Sequence, residues 1–420
     1  MPAATDSTAA IETVFRLEFG RLVAGLARYV GDVGLGEELA QEALVDALKQ
    51  WPEQGTPRNP GAWLMTVGKR KAVDRFRRNE TLTRKYAEMS LAADRAELDD
   101  PADDDIPDDR LRLIFVACHP VLPGPARAAL TLRLLGGLTT AEIGRAYLVS
   151  ETTIAQRIVR AKKTIAKAKV PFEVPDGDAL ASRLESVLEV IYLIFNEGYS
   201  ASAGDDWLRP ELCTEALRLG RILTGLMPDE AEVHGLVALM EIQSSRLSAR
   251  VGSDGEPILL LDQDRRKWDR LLINRGLAAL ARAEELGDSP GPYTLQAAIA
   301  ACHARAFHPE ETDWRRLAEL YEVLAETHPS PIVELNRAVA ISMAYGPDLA
   351  LDLVDQIVAT QTLDTYHLLH NVRGDLLDKL GRHAEAAAEF ERAGELATNT
   401  AERNLSIRRA EETAARAEWR

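Results

Sequence analysis

Apolar residues recur at helical spacing along nearly the whole of this 420-residue chain, and this pattern restricts the fold most. Val14, Leu22 and Val30 mark a first helix, which a group of glycines between residues 31 and 36 interrupts. Two further helices are predicted before residue 80, one in GEELAQEALVDALKQW and one that starts after Pro60. From about residue 178 onward the pattern is helical almost throughout. The sequence therefore predicts an all-α protein.

Turn signals in the C-terminal part follow a regular interval. They fall at residues 228, 290–292, 329, 363–364 and 397–398, and the last three are 34 residues apart. That interval is typical of tetratricopeptide repeats, in which each repeat is a pair of helices. The final unit places small residues and one aromatic ring where such helices approach, namely Gly374, Ala386, Phe390 and Ala393. We predict a tetratricopeptide-repeat-like (TPR-like) helical domain over residues 178–420.

The formal net charge of −16 is distributed unevenly along the chain. Residues 80–109 carry 11 acidic and 3 basic side chains with two prolines, whereas residues 110–170 carry 11 basic and 2 acidic ones. Because the first composition cannot sustain a core, we predict a flexible acidic linker at 80–109. The linker acts either as a solvated tether, which we favour, or as an acidic strip that mimics DNA. The basic block at 110–170 is typical of a nucleic-acid-binding domain.

Two capped helices are predicted within the basic block. Thr139 or Thr140 can cap a short helix that directs Ile143 inward, and Ser150 can cap a second helix that buries Ile154. The tight connection between them indicates a helix-turn-helix. In such a motif the early polar residues of the second helix reach base edges, and other cations bind phosphates. The predicted DNA contacts are Thr139, Thr140, Ser150, Glu151, Thr152, Thr153, Gln156, Arg157, Arg160, Lys162 and Lys163.

The string LTTAEIGRAYLVSETTIAQRIVRAKKTI resembles region 4 of extracytoplasmic-function (ECF) sigma factors, which are subunits of RNA polymerase. The family's recognition helix has the pattern Ser-x-x-Thr and ends in Arg-x-x-Arg-Ala. The matching positions are Glu142, Ile143, Ser150, Thr153, Arg157, Arg160 and Ala161. The resemblance implies that the domain at 110–170 reads the minus-35 promoter element. Gly144 replaces a usual alanine and Leu148 a usual turn glycine, so the turn geometry and base contacts are not carried over from the family.

Residues 10–79 resemble region 2 of the same family. GEELAQEALVDAL resembles the helix that docks on the polymerase clamp, and the resemblance implies contacts by Glu38, Gln41, Glu42 and Asp46. NPGAWLMTVGKRKAVDRFRR resembles the stretch that captures the melted minus-10 element, although Arg70 stands where asparagine is common. Its cations suit single-stranded DNA, and the predicted contacts are Lys69, Arg70, Lys71, Arg75, Arg77 and Arg78. We expect the nearby Trp63 to belong to the core.

The C-terminal part resembles the repeat-type extension of one branch of these sigma factors, as in VLEVIYLIFNEGYSAS and GPYTLQAAIAACHARA. In that branch the extension, rather than a separate anti-sigma factor, is thought to govern activity. The resemblance implies a sigma factor that binds core RNA polymerase and directs it to promoter DNA, with activity modulated by its TPR-like domain. Two alternatives are a helix-turn-helix transcription regulator that is not a sigma subunit, and a TPR scaffold protein whose sigma-like part has lost its function.

A repeat domain presents a concave surface on which a protein or peptide partner can bind. The candidate residues for such a groove are Asn196, Tyr199, Gln296, His303, Asn336, His367, His370 and Asn371. The clustered charges in LLLDQDRRKWDR are interpreted instead as a salt-bridged helix face.

The sequence contains none of the signatures G-x-x-x-x-G-K-S/T, H-E-x-x-H or G-x-S-x-G, so we expect a non-catalytic subunit without a cofactor. Cys118-His119 and Cys302-His303 lack the C-x2-C spacing of structural zinc sites, and we predict no metal site. No apolar stretch reaches the roughly 18 residues of a membrane helix. Together with only three scattered cysteines, this favours a cytoplasmic location without membrane contact.

Overall fold

The computed structural model describes residues 18–78, 105–147, 149–200, 208–252 and 257–418. Within these ranges the regular elements are helices, and the extended pairing found there is an isolated bridge between Val251 and Pro257. The predicted all-α fold class is confirmed. The chain divides into two compact units, residues 1–193 and residues 194–420. Residues 80–104 of the predicted linker lie outside the described ranges.

The first unit contains two groups of helices. The three-helix group consists of α1 (18–30), α2 (Val33–Gln54) and α3 (Pro60–Arg78). The helix-turn-helix group consists of α4 (Asp105–Ala117), α5 (Gly124–Leu134), α6 (Thr140–Ala146) and α7 (Glu151–Ala168). The next helix, α8 (Gly177–Tyr199), begins in the first unit and ends in the second.

Two glycines set the junction between α1 and α2. Gly31 follows α1 in a left-handed conformation with a φ of +70°, and the Asp32 side chain caps α2 by accepting a hydrogen bond from Leu35 N at 2.7 Å. A Cβ atom at Gly36 would lie 2.6 Å from the backbone nitrogen of Ala27. The two helices therefore pack backbone against backbone at this point.

The core of the three-helix group is apolar. Its fully buried large side chains are Phe19, Leu26, Leu39 and Leu64. Trp63 is half-buried, and its ring packs edge-on against the Trp51 ring with 5.4 Å between centroids. Trp63 thus lies at the rim of the core, whereas the sequence predicted a core position.

The helix α4 begins inside the segment predicted as linker. Residues 105–109 are helical, and Asp109 is only 7% exposed. Asp109 accepts a hydrogen bond from Arg112 Nη1 at 2.8 Å and precedes the buried run 113–117, so the helix is anchored from its first turns. The prediction that the linker extends to residue 109 is therefore wrong.

The first half of α8 packs against the helix-turn-helix group. Ser186 Oγ donates a hydrogen bond to the carbonyl oxygen of Cys118 at 2.6 Å, and Arg183 Nη2 donates to the carbonyl oxygen of Phe115 at 2.8 Å. The first unit accordingly extends to Leu193. The C-terminal unit begins later than the predicted residue 178.

The second unit contains the end of α8 and the remaining helices. These are α9 (Pro210–Leu226), α10 (Ala231–Ser244), α11 (Arg270–Leu286), α12 (Pro292–Arg305), α13 (Trp314–Thr327), α14 (Pro331–Tyr345), α15 (Pro347–Ala359), α16 (His367–Lys379), α17 (His383–Leu396) and α18 (Thr400–Glu418). The turns predicted at 228, 329, 363–364 and 397–398 all fall between helices. In the pair α16 and α17, a Cβ at Gly374 would lie 2.8 Å from the Phe390 ring, and Ala386 and Ala393 are fully buried. The paired-helix packing is as predicted, and the TPR-like identity stays a prediction.

Residues 245–269 interrupt the regular helices. Where the structure describes this segment, it holds two 3-10 turns, Leu247–Ala249 and Arg265–Lys267, and no α-helix. Arg265 is 3% exposed and donates hydrogen bonds of 3.0 Å to the carbonyl oxygens of His303 and Ala306. These bonds hold the segment against the end of α12. The helix predicted over LLLDQDRRKWDR is therefore wrong, although the predicted salt bridging is present between Arg266 and Asp264 at 2.8 Å.

Arginine and aromatic side chains alternate in a row within the second unit. The Arg250 guanidinium lies 3.5 Å from the centroid of the Tyr199 ring, and Arg246 lies 5.7 Å from the same ring. Arg246 is also 5.6 Å from the Trp268 ring, which Arg265 approaches to 5.1 Å from the other end of the row. Cation–π attraction of this kind is strongest where water is excluded. The row joins the end of α8 to the irregular segment.

His303 continues this row as a buried imidazole. It is 9% exposed, and its ring packs edge-on against Trp314 with 5.3 Å between centroids. Burial, aided by the positive charges of Arg246 and Arg265, lowers the pKa of His303 to about 3. His303 is therefore neutral in the folded protein at physiological pH.

Replacing His303 with glutamine should remove a pH-dependent loss of stability from the second unit. The unfolded chain protonates His303 below its ordinary pKa of about 6.5, whereas the folded form stays neutral down to about pH 3. The contribution of His303 to the free energy of unfolding is therefore fully present above pH 6.5 and is lost progressively as the pH falls from 6.5 towards about 3. We expect the wild-type unit to lose about 2 kcal/mol from this residue between pH 7 and pH 5.

Hydrogen exchange of the α12 amides, corrected for intrinsic rates, measures this difference. His370, whose raised pKa has the opposite effect, is present in both proteins and cancels in the comparison. If the protection of the α12 amides falls equally in the wild-type and His303→Gln proteins between pH 7 and pH 5, the lowered pKa of His303 is contradicted.

Candidate functional site

The short helix α6 is fixed at its start by reciprocal hydrogen bonds. The Glu142 backbone nitrogen donates to Thr139 Oγ1 at 3.1 Å, and the Thr139 backbone nitrogen donates to Glu142 Oε2 at 2.7 Å. This capping box identifies Thr139 as the N-cap, so the sequence alternative Thr140 is free for another role. Thr140 Oγ1 donates to Glu151 Oε1 at 2.7 Å and so joins the starts of α6 and α7.

The connection between α6 and α7 depends on a glycine. A Cβ atom at Gly144 would lie 2.8 Å from the carbonyl oxygen of Val149, and the Val149 backbone nitrogen donates to the Gly144 oxygen at 3.0 Å. The departure from the usual alanine thus permits a close turn. Leu148, the other departure from the family pattern, lies outside the described residues.

The helix α7 has one buried and one exposed face. Ser150 caps it by accepting a hydrogen bond from the Thr153 nitrogen at 3.2 Å. Ile143 of α6 and Ile154 and Ile158 of α7 are at most 5% exposed, as the sequence predicted. The predicted base contacts lie on the opposite face. The exposed residues there are Glu151, Thr152, Thr153, Gln156, Arg160 and Lys163, with Arg157 half-buried.

Lys162 is an exception among the predicted DNA contacts. Its side chain is 23% exposed and forms an ion pair with Glu37 of α2, a carboxylate whose side chain is 3% exposed. Glu37 also accepts hydrogen bonds from Arg133 Nε of α5 at 2.7 Å and from Gln41 Nε2 at 2.6 Å. Three helices of the first unit therefore meet at one buried charge, which we call the Glu37 cluster (Glu37, Gln41, Arg133 and Lys162).

Two predicted minus-10 contacts are paired with predicted polymerase contacts. Lys71 Nζ lies 2.9 Å from Asp46 Oδ2 and 3.7 Å from Glu42 Oε2. Arg75 Nη1 lies 2.9 Å from Glu38 Oε2. These contacts form because α2 and α3 pack side by side. Two cations predicted to bind DNA therefore neutralise carboxylates predicted to bind polymerase.

The other predicted minus-10 cations are placed differently. Lys69 Nζ lies over the Tyr29 ring at 5.7 Å from its centroid. Arg70 and Arg77 are exposed, and Arg78 is the last residue of α3. The exposed cations on α3 are therefore available to a phosphate backbone.

An open surface depression of about 550 Å³ lies along α2, beside Lys71 of α3. It is lined by Glu38, Gln41, Glu42, Val45, Asp46, Lys49 and Lys71, and so includes all four predicted polymerase contacts. Val45 and Leu48 on the same helix are 47% and 50% exposed. Exposed aliphatic side chains beside carboxylates make a surface suited to a protein partner.

The predicted groove residues of the second unit lie in several different local settings. Tyr199 and His303 belong to the arginine–aromatic row, and Gln296 Nε2 donates to the Pro292 oxygen at 3.1 Å. The Asn196 backbone oxygen accepts from the Ser200 nitrogen at 2.8 Å within α8, and the Asn336 side chain is exposed on α14.

Three other groove candidates lie together on α16 and are engaged with neighbouring helices. His367 lies 3.2 Å from Glu402, His370 lies 2.7 Å from Glu389, and Asn371 Nδ2 donates to Ser406 Oγ at 3.1 Å. The hydrogen bond to Glu389 raises the pKa of His370. These side chains hold α16 to α17 and α18.

The described residues contain no cluster of three or more histidine, cysteine, aspartate or glutamate side chains that could hold a metal ion. Cys118, Cys213 and Cys302 are buried and unpaired with one another, and burial raises the pKa of Cys118 to about 11 and of Cys213 to about 12. Across the helices that the structure describes, none combines the length and apolarity needed to span a membrane.

Sequence reasoning missed Glu37 and Arg133. Glu37 precedes Ala40 and Leu44 by three and seven residues, and both of these are buried, so Glu37 falls on the inward stripe of α2. That spacing was a usable signal of burial. Its partners carried no such signal, because Arg133 is 96 residues away.

Comparison with known families agrees with the two helix groups. The family model described as "Sigma-70 region 2" matches residues 16–81, and the one described as "Sigma-70, region 4" matches residues 112–165. Residues 183–284 match a family described as of unknown function (DUF6596). No solved structure matches the chain.

Two relatives connect the chain to known proteins. An uncharacterized protein of Rhizobium meliloti (strain 1021) is 47% identical over 90% of each of the two sequences. The ECF RNA polymerase sigma factor SigK of Mycobacterium ulcerans (strain Agy99) is 30% identical over 139 residues, which are 33% of this chain and 74% of SigK. The resemblance inferred from the sequence motifs is confirmed: the chain belongs to the ECF RNA polymerase sigma factors and carries a long helical C-terminal extension.

Proposed function

We propose that this protein binds core RNA polymerase in the cytoplasm and directs it to promoter DNA, with α7 at the minus-35 element and α3 at the minus-10 element. The observation that carries this proposal is the exposed polar face of α7, supported from beneath by Ile154 and Ile158. A recognition helix needs this arrangement, because its core side fixes the orientation in which its polar side meets the groove.

The residues of α7 separate into two roles. Thr152, Thr153 and Gln156 lie in its first two turns and are exposed, so they are positioned for base edges. Arg160 and Lys163 follow on the exposed side and suit phosphate contacts. Base contacts supply specificity, whereas phosphate contacts supply affinity that falls with salt concentration.

The surface that we propose binds polymerase is the face of α2 that carries Glu38, Glu42 and Asp46. Lys71 and Arg75 hold these carboxylates in place in the absence of polymerase. Each of these ion pairs is partly exposed, and exposed pairs contribute only about 0–1 kcal/mol. Polymerase can therefore bind the carboxylates, and DNA the cations, with little free energy needed to break each ion pair.

The C-terminal unit is proposed to modulate transcription by binding a protein or peptide partner. Support comes from α8, because the helix that carries Ser186 of the first unit also carries Tyr199 of the second.

We expect run-off transcription with purified core polymerase to yield specific transcripts from the full chain. A fragment of residues 1–193 retains the α8 contacts of the first unit, and we expect its transcript yield to differ at least threefold if the extension modulates activity. Circular dichroism checks that the fragment is folded. Equal yields would exclude modulation under these conditions, and silence of the full chain on many promoters would favour the scaffold alternative.

Substitutions on α7 should separate base reading from phosphate binding. With a duplex selected from a random pool, Gln156→Ala should weaken binding about tenfold and relax the preference at one position. Lys163→Ala should weaken binding to all duplexes alike and reduce the slope of log affinity against log salt by about 0.9.

Lys267→Ala provides the matched control, because Lys267 is an exposed cation of the second unit. Fluorescence anisotropy measures each affinity. Tight, specific binding of the wild-type chain without polymerase would favour the alternative of a simple helix-turn-helix regulator.

A further inference from the structure

Three guanidinium groups meet in the arginine–aromatic row of the second unit. Arg246 lies 5.7 Å from the centroid of the Tyr199 ring, and Arg250 lies 3.5 Å from the same centroid. Arg246 also shares the Trp268 ring with Arg265, at distances of 5.6 Å and 5.1 Å. Burial lowers the pKa of Arg250 and Arg265, and the positive charge of Arg246 lowers both further. The row therefore concentrates positive charge where little water is present.

Neighbouring protein groups compensate this charge only in part. Arg265 donates hydrogen bonds to two carbonyl oxygens at the end of α12, and Arg246 donates one to the Tyr199 hydroxyl. The end of a helix carries about half a negative charge, which is less than the full charge of a guanidinium. In the part of the chain that the structure describes, neither Arg246 nor Arg265 forms an ion pair with a carboxylate. The charges of Glu310 and Glu311 reach Arg265, but both side chains are exposed.

Three buried polar atoms of the row have no hydrogen-bond partner among the described residues. They are Arg265 Nε, Trp268 Nε1 and His303 Nδ1, in residues that are 3%, 2% and 9% exposed. The first two atoms can only donate, because guanidinium and indole groups have no acceptor. A buried donor without a partner is unfavourable, so a ligand that completes the row must bring acceptors.

Arg246 makes the row accessible from solvent, because its side chain is half-buried whereas Arg265, Trp268 and His303 are buried. The Tyr199 hydroxyl takes a hydrogen bond from Arg246 Nη2, and a guanidinium has five N–H donors in all. The planar fork of such donors fits two oxygens of a phosphate or a carboxylate group. An oxyanion can therefore approach the row at Arg246.

The aromatic rings of the row do not favour nucleic acid as the ligand. The Tyr199 ring contacts the Arg250 guanidinium and is stacked on the Phe195 ring with 5.6 Å between centroids. The Trp268 ring is approached by two guanidinium groups and is 2% exposed. Because single-stranded nucleic acid is bound by stacking its bases on open aromatic faces, these rings suit a smaller ligand.

We infer that the arginine–aromatic row binds the oxyanion of a small molecule, a phosphate or a carboxylate group, with Arg246 as its main contact and the Trp268 indole N–H as a second donor. The negative charge of the ligand offsets the charge that the helix ends leave uncompensated, and its oxygens supply acceptors to the unpartnered donors. The site lies within the second unit, so the inference goes beyond the proposed sigma function and does not depend on it.

Isothermal titration calorimetry of the full chain at constant ionic strength tests the site. Inorganic phosphate and acetate are the two probes, and chloride is the reference anion. We expect saturable binding of at least one probe with a Kd of about 1 mM or tighter, which is within reach of so small a ligand. The tighter probe identifies which oxyanion the ligand carries. If neither probe binds saturably up to about 20 mM, the inference is overturned.

Arg246→Gln removes the main contact and should weaken binding of the probe about tenfold or more, because charge-assisted hydrogen bonds are lost. Arg275→Gln makes the same change at an exposed position of α11 and should leave the affinity unchanged. Circular dichroism checks that both variants are folded. Unchanged affinity of a folded Arg246→Gln protein, or equal weakening in both variants, would contradict a specific site at the row.

Nuclear magnetic resonance of the wild-type chain with 15N-labelled tryptophan locates the anion without relying on the folding of a variant at Arg246. The indole N–H signal of Trp268 should move downfield as the probe saturates, because its proton enters a charge-assisted hydrogen bond. Trp268→Phe keeps a ring and identifies this signal by its disappearance. Saturation that leaves the Trp268 signal in place would put the anion elsewhere and overturn the inference.

Discussion

A charge that is removed from water must be met by partners of fixed geometry, and each unit of this protein is arranged around such a charge. In the first unit the charge is the Glu37 carboxylate, which fixes α2 relative to α5 and α7. In the second it is the Arg265 guanidinium, which gathers the carbonyl oxygens of His303 and Ala306 at the end of α12. Apolar burial supplies most of the driving force for folding, but it is non-directional. The buried charges add directional contacts between the particular helices and segments that they touch.

Region 2 shows how one pair of helices can carry two binding surfaces. The cations that suit single-stranded DNA lie on α3 and the carboxylates proposed for polymerase lie on α2, and they neutralise one another across the helix pair. A free sigma factor therefore presents little unpaired charge along this seam. If polymerase binds the α2 carboxylates and DNA binds the α3 cations as proposed, each partner frees charge for the other, and the two binding events are thermodynamically reciprocal.

Local features of the fold could be predicted from the sequence, because their causes lie within a few residues. The caps of α6 and α7, the inward isoleucines and the turns at 34-residue spacing are all of this kind. The start of α4 and the boundary inside α8 could not be predicted, since both depend on packing against distant helices. The helix predicted within residues 245–269 was wrong for a similar reason, because Arg265 binds carbonyl groups 38 and 41 residues further along the chain. For the proposed sites, the residue types pointed to DNA, but the engagement of Lys162 by Glu37 has no local signature.

The contacts of Glu37 also bear on how this part of the sequence can change. Arg133 and Lys162 reach the same carboxylate from two different helices, so the loss of any one of the three charges alters the balance of a buried site. We therefore expect these three positions, far apart in the sequence, to change together rather than singly among related chains.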